Sequence, residues 1–94
     1  MFRKMRGVDL PEKKQGLLFF VCQNYEEQPE RVRQRIRRLC DRISGGEEAY
    51  RAALFDMLTT RESVTALSLR HNVSAAKLYD LRREFYEAWY HGKT

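Results

Sequence analysis

Apolar residues recur at helical spacing through most of this chain, and most regularly between residues 29 and 45. Their spacing of i, i+4, i+7, i+8 and i+11 there forms one stripe along a helix. The residues of this stripe are Val32, Ile36, Leu39, Cys40 and Ile43. Pro29 suits the start of this helix and Gly45 its carboxyl-terminal cap. Because 94 residues supply apolar surface for one core, we expect a single domain over residues 1–94.

A first helix is predicted over residues 9–25. Pro11 can occupy its first turn, because proline has a fixed φ and lacks the N–H that a helix start leaves unpaired. The apolar run at residues 17–22 has no clear helical period, so a short buried strand is the alternative there. No second strand is evident to pair with it, and the run is too short to span a bilayer. We therefore expect a helix here. We also expect a cytoplasmic protein that does not enter membranes.

The second half of the chain contains three more helix starts. Glu47 and Glu48 suit the first turn of a third helix, where negative charge complements the helix dipole. Residues 59–62 fit a capping box, with Thr59 as the cap of a fourth helix. Ser74 is the expected N-cap of a long fifth helix. The sequence thus predicts an all-α fold, a compact bundle of about five helices.

The link between the fourth and fifth helices meets the demands of a helix-turn-helix over residues 59–91. Asn72 lies at the bend, and asparagine tolerates the positive φ that such a bend requires. Val73 is the apolar residue after the turn, and Ser68 is small enough for the close approach of the two helices. Apolar contacts between the helices are expected from Leu67, Leu78 and Leu81.

Residues 63–85, SVTALSLRHNVSAAKLYDLRREF, resemble the helix-turn-helix of sigma factor region four and of phage and transposon regulators. The agreement lies in Ser63-Val64, Val73-Ser74, Leu78-Tyr79 and residues 82–85. The family pattern prefers alanine, leucine and glycine where this chain has Ser68, His71 and Asn72. The resemblance implies a sequence-specific, DNA-binding transcription regulator, sigma-like or of phage or mobile-element type, whose fifth helix is the recognition helix.

The resemblance also implies which residues face double-stranded DNA. They are Ser74, Ala75, Ala76, Tyr79, Asp80 and Arg83. Arg83 can reach a guanine or a phosphate, and Ser74 and Tyr79 can bond phosphate oxygens. Lys77, in the first turn, agrees with a helix N-terminus that points at phosphate. Asp80 argues against contact, because DNA repels a carboxylate unless a cytosine amino group or an arginine accepts it.

The net charge of +5 lies wholly in residues 1–45, which hold eleven Lys and Arg against six Asp and Glu. Residues 46–94 hold seven of each. Residues 1–8 are basic and can form a disordered tail, but the sequence does not determine whether they are ordered. A stripe on the second helix consists of Arg31, Arg35, Arg38 and Arg42. These arginines form either a solvated edge of the core or a surface for phosphate or an acidic partner.

Tyr79, Arg83, Tyr86 and Tyr90 form a second stripe on the fifth helix, which we expect to be exposed opposite the Leu81 side. Partial packing against the amino-terminal helices is the alternative. Because tyrosine and arginine anchor interfaces, the stripe also supports a competing hypothesis. In it, the chain keeps the helix-turn-helix shape but is a protein-interaction module that binds RNA polymerase or another acidic protein. The sequence is also compatible with a homodimer.

The sequence gives no indication of catalysis, a cofactor or a metal. His71 and His91 are separated by a helix, and no glycine-rich phosphate loop occurs. Cys22 and Cys40 lie in apolar helical segments and are expected to be buried thiols. We therefore do not expect an enzyme. The target DNA sequence, the activating or repressing sense and the oligomeric state are not determined by the sequence.

Overall fold

The helical signals correspond to five α-helices joined by short loops. The structure, a computed structural model, describes residues 2–91. Helices α1 to α5 are, in order, Glu12–Gln23, Glu30–Ile43, Glu48–Thr59, Val64–His71 and Ala75–His91. A 3₁₀ turn at Tyr25–Glu27 lies between α1 and α2, and residues 2–91 contain no strand. The all-α prediction is confirmed, and the apolar run in α1 is helical.

None of the five helices in the described part of the chain is long and apolar enough to cross a membrane.

Proline and glycine mark the boundaries of the first two helices. Pro11 and Pro29 lie one residue before α1 and α2, with φ angles of −59° and −57°. Gly45 and Gly46 follow α2 with φ angles of +67° and +80°, a region that residues with a Cβ rarely adopt. The fixed φ of proline and the freedom of glycine thus define where α2 begins and where the chain leaves it.

The start of α4 differs from the prediction. Thr59 is the last residue of α3 and not a cap, and its hydroxyl donates to the Phe55 carbonyl at 2.8 Å. Ser63 caps α4 instead, because its Oγ accepts a hydrogen bond from the Ala66 N–H at 3.1 Å. Leu58 is buried in the core, which keeps α3 helical through the position where the sequence predicted the next helix to begin.

Two hydrophobic clusters hold the helices together. The larger cluster joins α1, α2, α3 and α5, and at its centre lie the fully buried Leu18, Ile36, Leu54 and Phe85. The smaller cluster lies between α3, α4 and α5 and consists of Ala53, Met57, Leu67, Val73 and Leu78. The predicted contacts of Leu67 and Leu78 are present there, while Leu81 packs in the larger cluster. Helices α3 and α5 contribute to both clusters and so connect them.

The corner between α4 and α5 has the backbone geometry that Asn72 predicts. Asn72 lies in the left-handed region, with φ 55° and ψ 52°. The Ser68 carbonyl accepts hydrogen bonds from the backbone N–H groups of Asn72 and Val73, the latter at 3.1 Å. The Ser68 hydroxyl donates to the Val73 carbonyl. These bonds satisfy the free carbonyl at the end of α4 and fix the direction in which α5 begins.

An ion-pair network joins α3 to the end of α4. Asp56 Oδ2 lies 2.7 Å from Arg70 Nη2 and 3.0 Å from His71 Nε2. Arg70 also contacts Glu62. His71 therefore has an acidic partner on α3, which helps to hold it at the turn.

Residues 2–8, whose order the sequence leaves open, pack against α1. The Met5 N–H donates to Oε1 of the buried Gln15 at 2.8 Å, and Gln15 Nε2 donates to the Leu10 carbonyl at 3.0 Å. The rings of Phe2 and Phe19 lie 5.2 Å apart. A buried amide and an aromatic pair thus hold this segment, and neither is visible in its charge or composition.

Replacing Asn72 should separate the backbone requirement of the corner from any role of its side chain. We expect Asn72→Ala to lower the free energy of unfolding by about 1 kcal/mol, because alanine is disfavoured in the left-handed region. Asn72→Gly is the matched control and should leave stability unchanged or raise it. Urea unfolding of the three proteins measures this. An equal loss in both variants would contradict a purely backbone role.

The two buried thiols should make the protein less stable in alkali. Burial raises the pKa of Cys22, with a contribution from nearby Cys40, and burial raises the pKa of Cys40 to about 12. In the unfolded chain both thiols ionise near about pH 8.5. The contribution of the two thiols to the free energy of unfolding is therefore fully present below that pH. Above it, this contribution should fall by about 1.4 kcal/mol per pH unit for each thiol.

Urea unfolding between about pH 7.5 and 10 tests this expectation. The double variant Cys22→Ala/Cys40→Ala should have a flatter pH dependence than the native chain. The same slope in both proteins would mean that other groups cause the alkaline loss.

Candidate nucleic-acid interface

The first turn of α5 is held by its own cap and by α3. Ser74 Oγ accepts a hydrogen bond from the Lys77 N–H at 3.2 Å, as the N-cap prediction requires. The Ser74 N–H donates to the Tyr50 hydroxyl at 2.9 Å. Tyr50 therefore fixes the start of α5 from the neighbouring helix, a contact for which the sequence carries no local signal.

The seven residues that the resemblance and the helix start assigned to DNA lie along the first three turns of α5. Five of them are exposed, namely Ser74, Ala76, Lys77, Tyr79 and Asp80. Ala75 and Arg83 are half-buried, and the Arg83 side chain keeps 43% of its surface accessible. The structure thus leaves this set accessible on α5, and we call it the α5 face.

The α5 face is electrically balanced. Lys77 Nζ lies 3.3 Å from Glu47 Oε1 and 4.4 Å from the centre of the Tyr50 ring. Arg83 Nη1 lies 3.7 Å from Asp80 Oδ1. Each of the two cations thus has a carboxylate beside it. A polyanion that meets this face must displace or outcompete those carboxylates.

The prediction of an exposed tyrosine stripe on α5 is wrong for Tyr86 and largely wrong for Tyr90. Tyr86 is 1% exposed and lies in the larger hydrophobic cluster, and its burial raises the pKa of its hydroxyl. The Tyr90 hydroxyl donates to the Lys14 carbonyl at 2.6 Å. Both tyrosines pack α5 against the amino-terminal part of the fold, so Tyr86 is not available as a partner contact. Tyr79, 50% exposed, stays available.

The arginines of α2 divide into two groups. Arg33 and Arg37 pair with Glu30, with N–O distances of 2.8 and 2.9 Å. The four arginines of the predicted stripe, together with Val32, Leu39 and Trp89, line a groove of about 680 Å³ that we call the arginine groove. Within residues 2–91, none of those four forms an ion pair. They are Arg31, Arg35, Arg38 and Arg42.

Trp89 lies in the wall of the arginine groove. The guanidinium of Arg35 is 3.9 Å from the centre of a Trp89 ring and donates to the Trp89 carbonyl. Phe85 stacks on Trp89 with ring centroids 5.9 Å apart. The indole of Trp89 is thus already in contact with a guanidinium and a second aromatic ring. The groove therefore offers arginine side chains and apolar edges to a ligand.

A second cavity, of about 540 Å³, lies between residues 2–6, the end of α3 and the Tyr79 side of α5. Four cations line it, namely Arg3, Lys4, Arg6 and Arg82. We call it the Arg82 pocket. Sequence reasoning did not select these residues. The one local signal was that Arg82 follows Tyr79 by three residues on the same helix, whereas the position of the amino-terminal segment depends on tertiary contacts.

Within residues 2–91, no group of three or more His, Cys, Asp or Glu side chains is arranged to hold a metal ion. Comparison of the chain with protein-family models, curated proteins and solved structures finds no match. The geometry of the molecule and the sequence pattern of residues 63–85 are therefore the grounds for a functional proposal.

Proposed function

We propose that this chain is a sequence-specific DNA-binding regulator of transcription that inserts the first turns of α5 into the major groove. One observation carries the proposal. The left-handed residue Asn72 ends α4, and the capped helix that follows presents an accessible α5 face. A short helix, a sharp corner and an exposed second helix are what a helix-turn-helix uses to enter a groove. The sequence resemblance of residues 63–85 points to the same role.

The chemistry of the α5 face suits a mixture of base and backbone contacts. Arg83 can bond a guanine edge or a phosphate, and the exposed hydroxyls of Ser74 and Tyr79 can bond phosphate oxygens. Ala75 and Ala76 are small, which allows close approach and contact with thymine methyl groups. Asp80 lies beside Arg83, so this arginine limits the repulsion between the carboxylate and DNA.

Removing the arginine of the α5 face should weaken DNA binding and its dependence on salt. We expect the native chain to bind a labelled duplex of random sequence with a Kd on the order of micromolar at about 50 mM salt. Arg83→Ala should weaken binding and reduce the slope of log K against log salt by about 1, because one phosphate contact or groove cation is lost. Fluorescence anisotropy at several salt concentrations measures both quantities.

Two further variants belong to that experiment, a control and a second test. Lys13→Ala removes one exposed positive charge from α1 and should leave the affinity nearly unchanged. Glu47→Gln removes the carboxylate that competes for Lys77, and we expect about two- to fivefold tighter binding. The proposal fails if the native chain does not bind duplex DNA at about 50 mM salt, or if Arg83→Ala and Lys13→Ala have the same effect.

The arginine groove supports a second candidate function, the docking of an acidic and partly apolar segment of a protein such as RNA polymerase. Four arginines without acidic partners in the described chain provide the charge complementarity, and Val32, Leu39 and Trp89 provide apolar contact. A carboxylate-bearing amphipathic helix matches both features.

Trp89 is the one tryptophan of the chain, so its fluorescence reports on the arginine groove. We expect a synthetic amphipathic peptide, with glutamates on one face and leucines on the other, to change this fluorescence. Arg31→Ala/Arg42→Ala should weaken the binding by about tenfold, whereas Lys13→Ala/Arg61→Ala, which removes the same charge elsewhere, should not. Equal effects of the two double variants, or a larger Trp89 response to duplex DNA, would contradict this function.

A further inference from the structure

The Arg82 pocket combines a concentration of positive charge with partial exclusion of water. Arg3, Lys4 and Arg6 line it from the amino-terminal segment, and Arg82 lines it from α5. None of its lining residues is acidic. Tyr79 and Tyr86 form part of its wall, and within residues 2–91 no carboxylate lines the pocket to neutralise these cations.

Of the four cations of this pocket, Arg82 is the one that an anionic ligand would stabilise most. Within residues 2–91, its guanidinium has no acidic partner and donates no hydrogen bond to a protein acceptor. Among the described residues, its guanidinium lies near the Tyr79 ring, whose centre is 5.3 Å away. Its burial lowers its pKa, which agrees with a charge that lacks full compensation. A cation that is partly desolvated and unpaired is costly unless a ligand supplies the opposite charge.

The cations of the amino-terminal segment are held at the pocket by the fold. The Met5 N–H is bonded to the buried amide of Gln15 at 2.8 Å, and Phe2 packs on Phe19. Residues on either side of Arg3 and Lys4 are thus anchored on α1. The pocket exists before a ligand arrives, which reduces the ordering cost of binding.

We propose that the Arg82 pocket binds a phosphate group, with Arg82 as its bidentate donor and Arg3, Lys4 and Arg6 as surrounding charges. The planar fork of an arginine matches two phosphate oxygens, and the other cations complete the neutralisation. Two sources share this chemistry, namely a phosphodiester of duplex DNA next to Tyr79 and the phosphate of a free nucleotide. Only the first source rests on the proposed function.

Titrations of the full chain test the proposal. The side-chain Nε–Hε signal of Arg82 in ¹⁵N NMR reports on binding. The probes are inorganic phosphate, a nucleoside monophosphate and a short duplex. We expect each of the first two to shift this signal in a saturable way. Calorimetry measures the affinity of each variant for the nucleoside monophosphate. We expect Arg82→Ala to weaken this binding about tenfold or more. Arg82→Lys should weaken it less, and Lys13→Ala should leave it unchanged. Circular dichroism of each variant checks that the fold is kept.

The outcomes separate the pocket from the proposed function. Phosphate or nucleotide binding that depends on Arg82 supports the pocket even if the duplex does not bind, in which case the proposed function fails alone. A duplex that binds and shifts the Arg82 signal identifies the DNA backbone as a source, and competition by the nucleotide shows that both use one site. No shift with phosphate or nucleotide, or the same affinity in native chain and Arg82→Ala, overturns the pocket whatever the duplex does.

Discussion

The burial of one side of α5 along most of its length determines which residues of this protein can meet a partner. Leu78 packs in the smaller hydrophobic cluster, while Leu81, Phe85 and Tyr86 pack in the larger one. A helix held in two clusters cannot rotate about its axis without exposing apolar surface to water. The α5 face, at the start of this helix, and Trp89, near its end, therefore have fixed orientations relative to the rest of the fold.

Electrostatics then distinguishes the accessible surfaces. On the α5 face, Lys77 and Arg83 each lie beside a carboxylate, so binding there exchanges one ion pair for another. In the arginine groove and the Arg82 pocket, cations such as Arg38 and Arg82 have no acidic partner within residues 2–91. Exposed ion pairs contribute little stability, but they lower the net charge that an approaching polyanion meets. The unpaired cations of the groove and the pocket therefore attract a polyanion more strongly than the α5 face does.

Local sequence signals predicted the parts of the site that depend on backbone geometry. Asn72 tolerates a positive φ, and Ser74 is a good N-cap, so the corner and the start of α5 follow from residue types alone. Residues 59–62 fit a capping box, which predicts Thr59 as the cap of α4, whereas Ser63 caps it. Thr59 is the last residue of α3, and its hydroxyl donates to the Phe55 carbonyl, so it does not cap α4.

Helical periodicity by itself determined the all-α fold and the stripe of α2, and the residue type of Asn72 determined the left-handed corner, because each depends on residues close together in the chain. Tertiary structure decided which side chains face solvent. Tyr86 looked exposed from its spacing and is buried, because it lies in the larger hydrophobic cluster with residues of α1, α2 and α3. The meeting of Arg82 with Arg3, and the pairing of Lys77 with Glu47, join residues far apart in the chain. Contacts of that kind depend on how the helices pack, which no short-range pattern specifies.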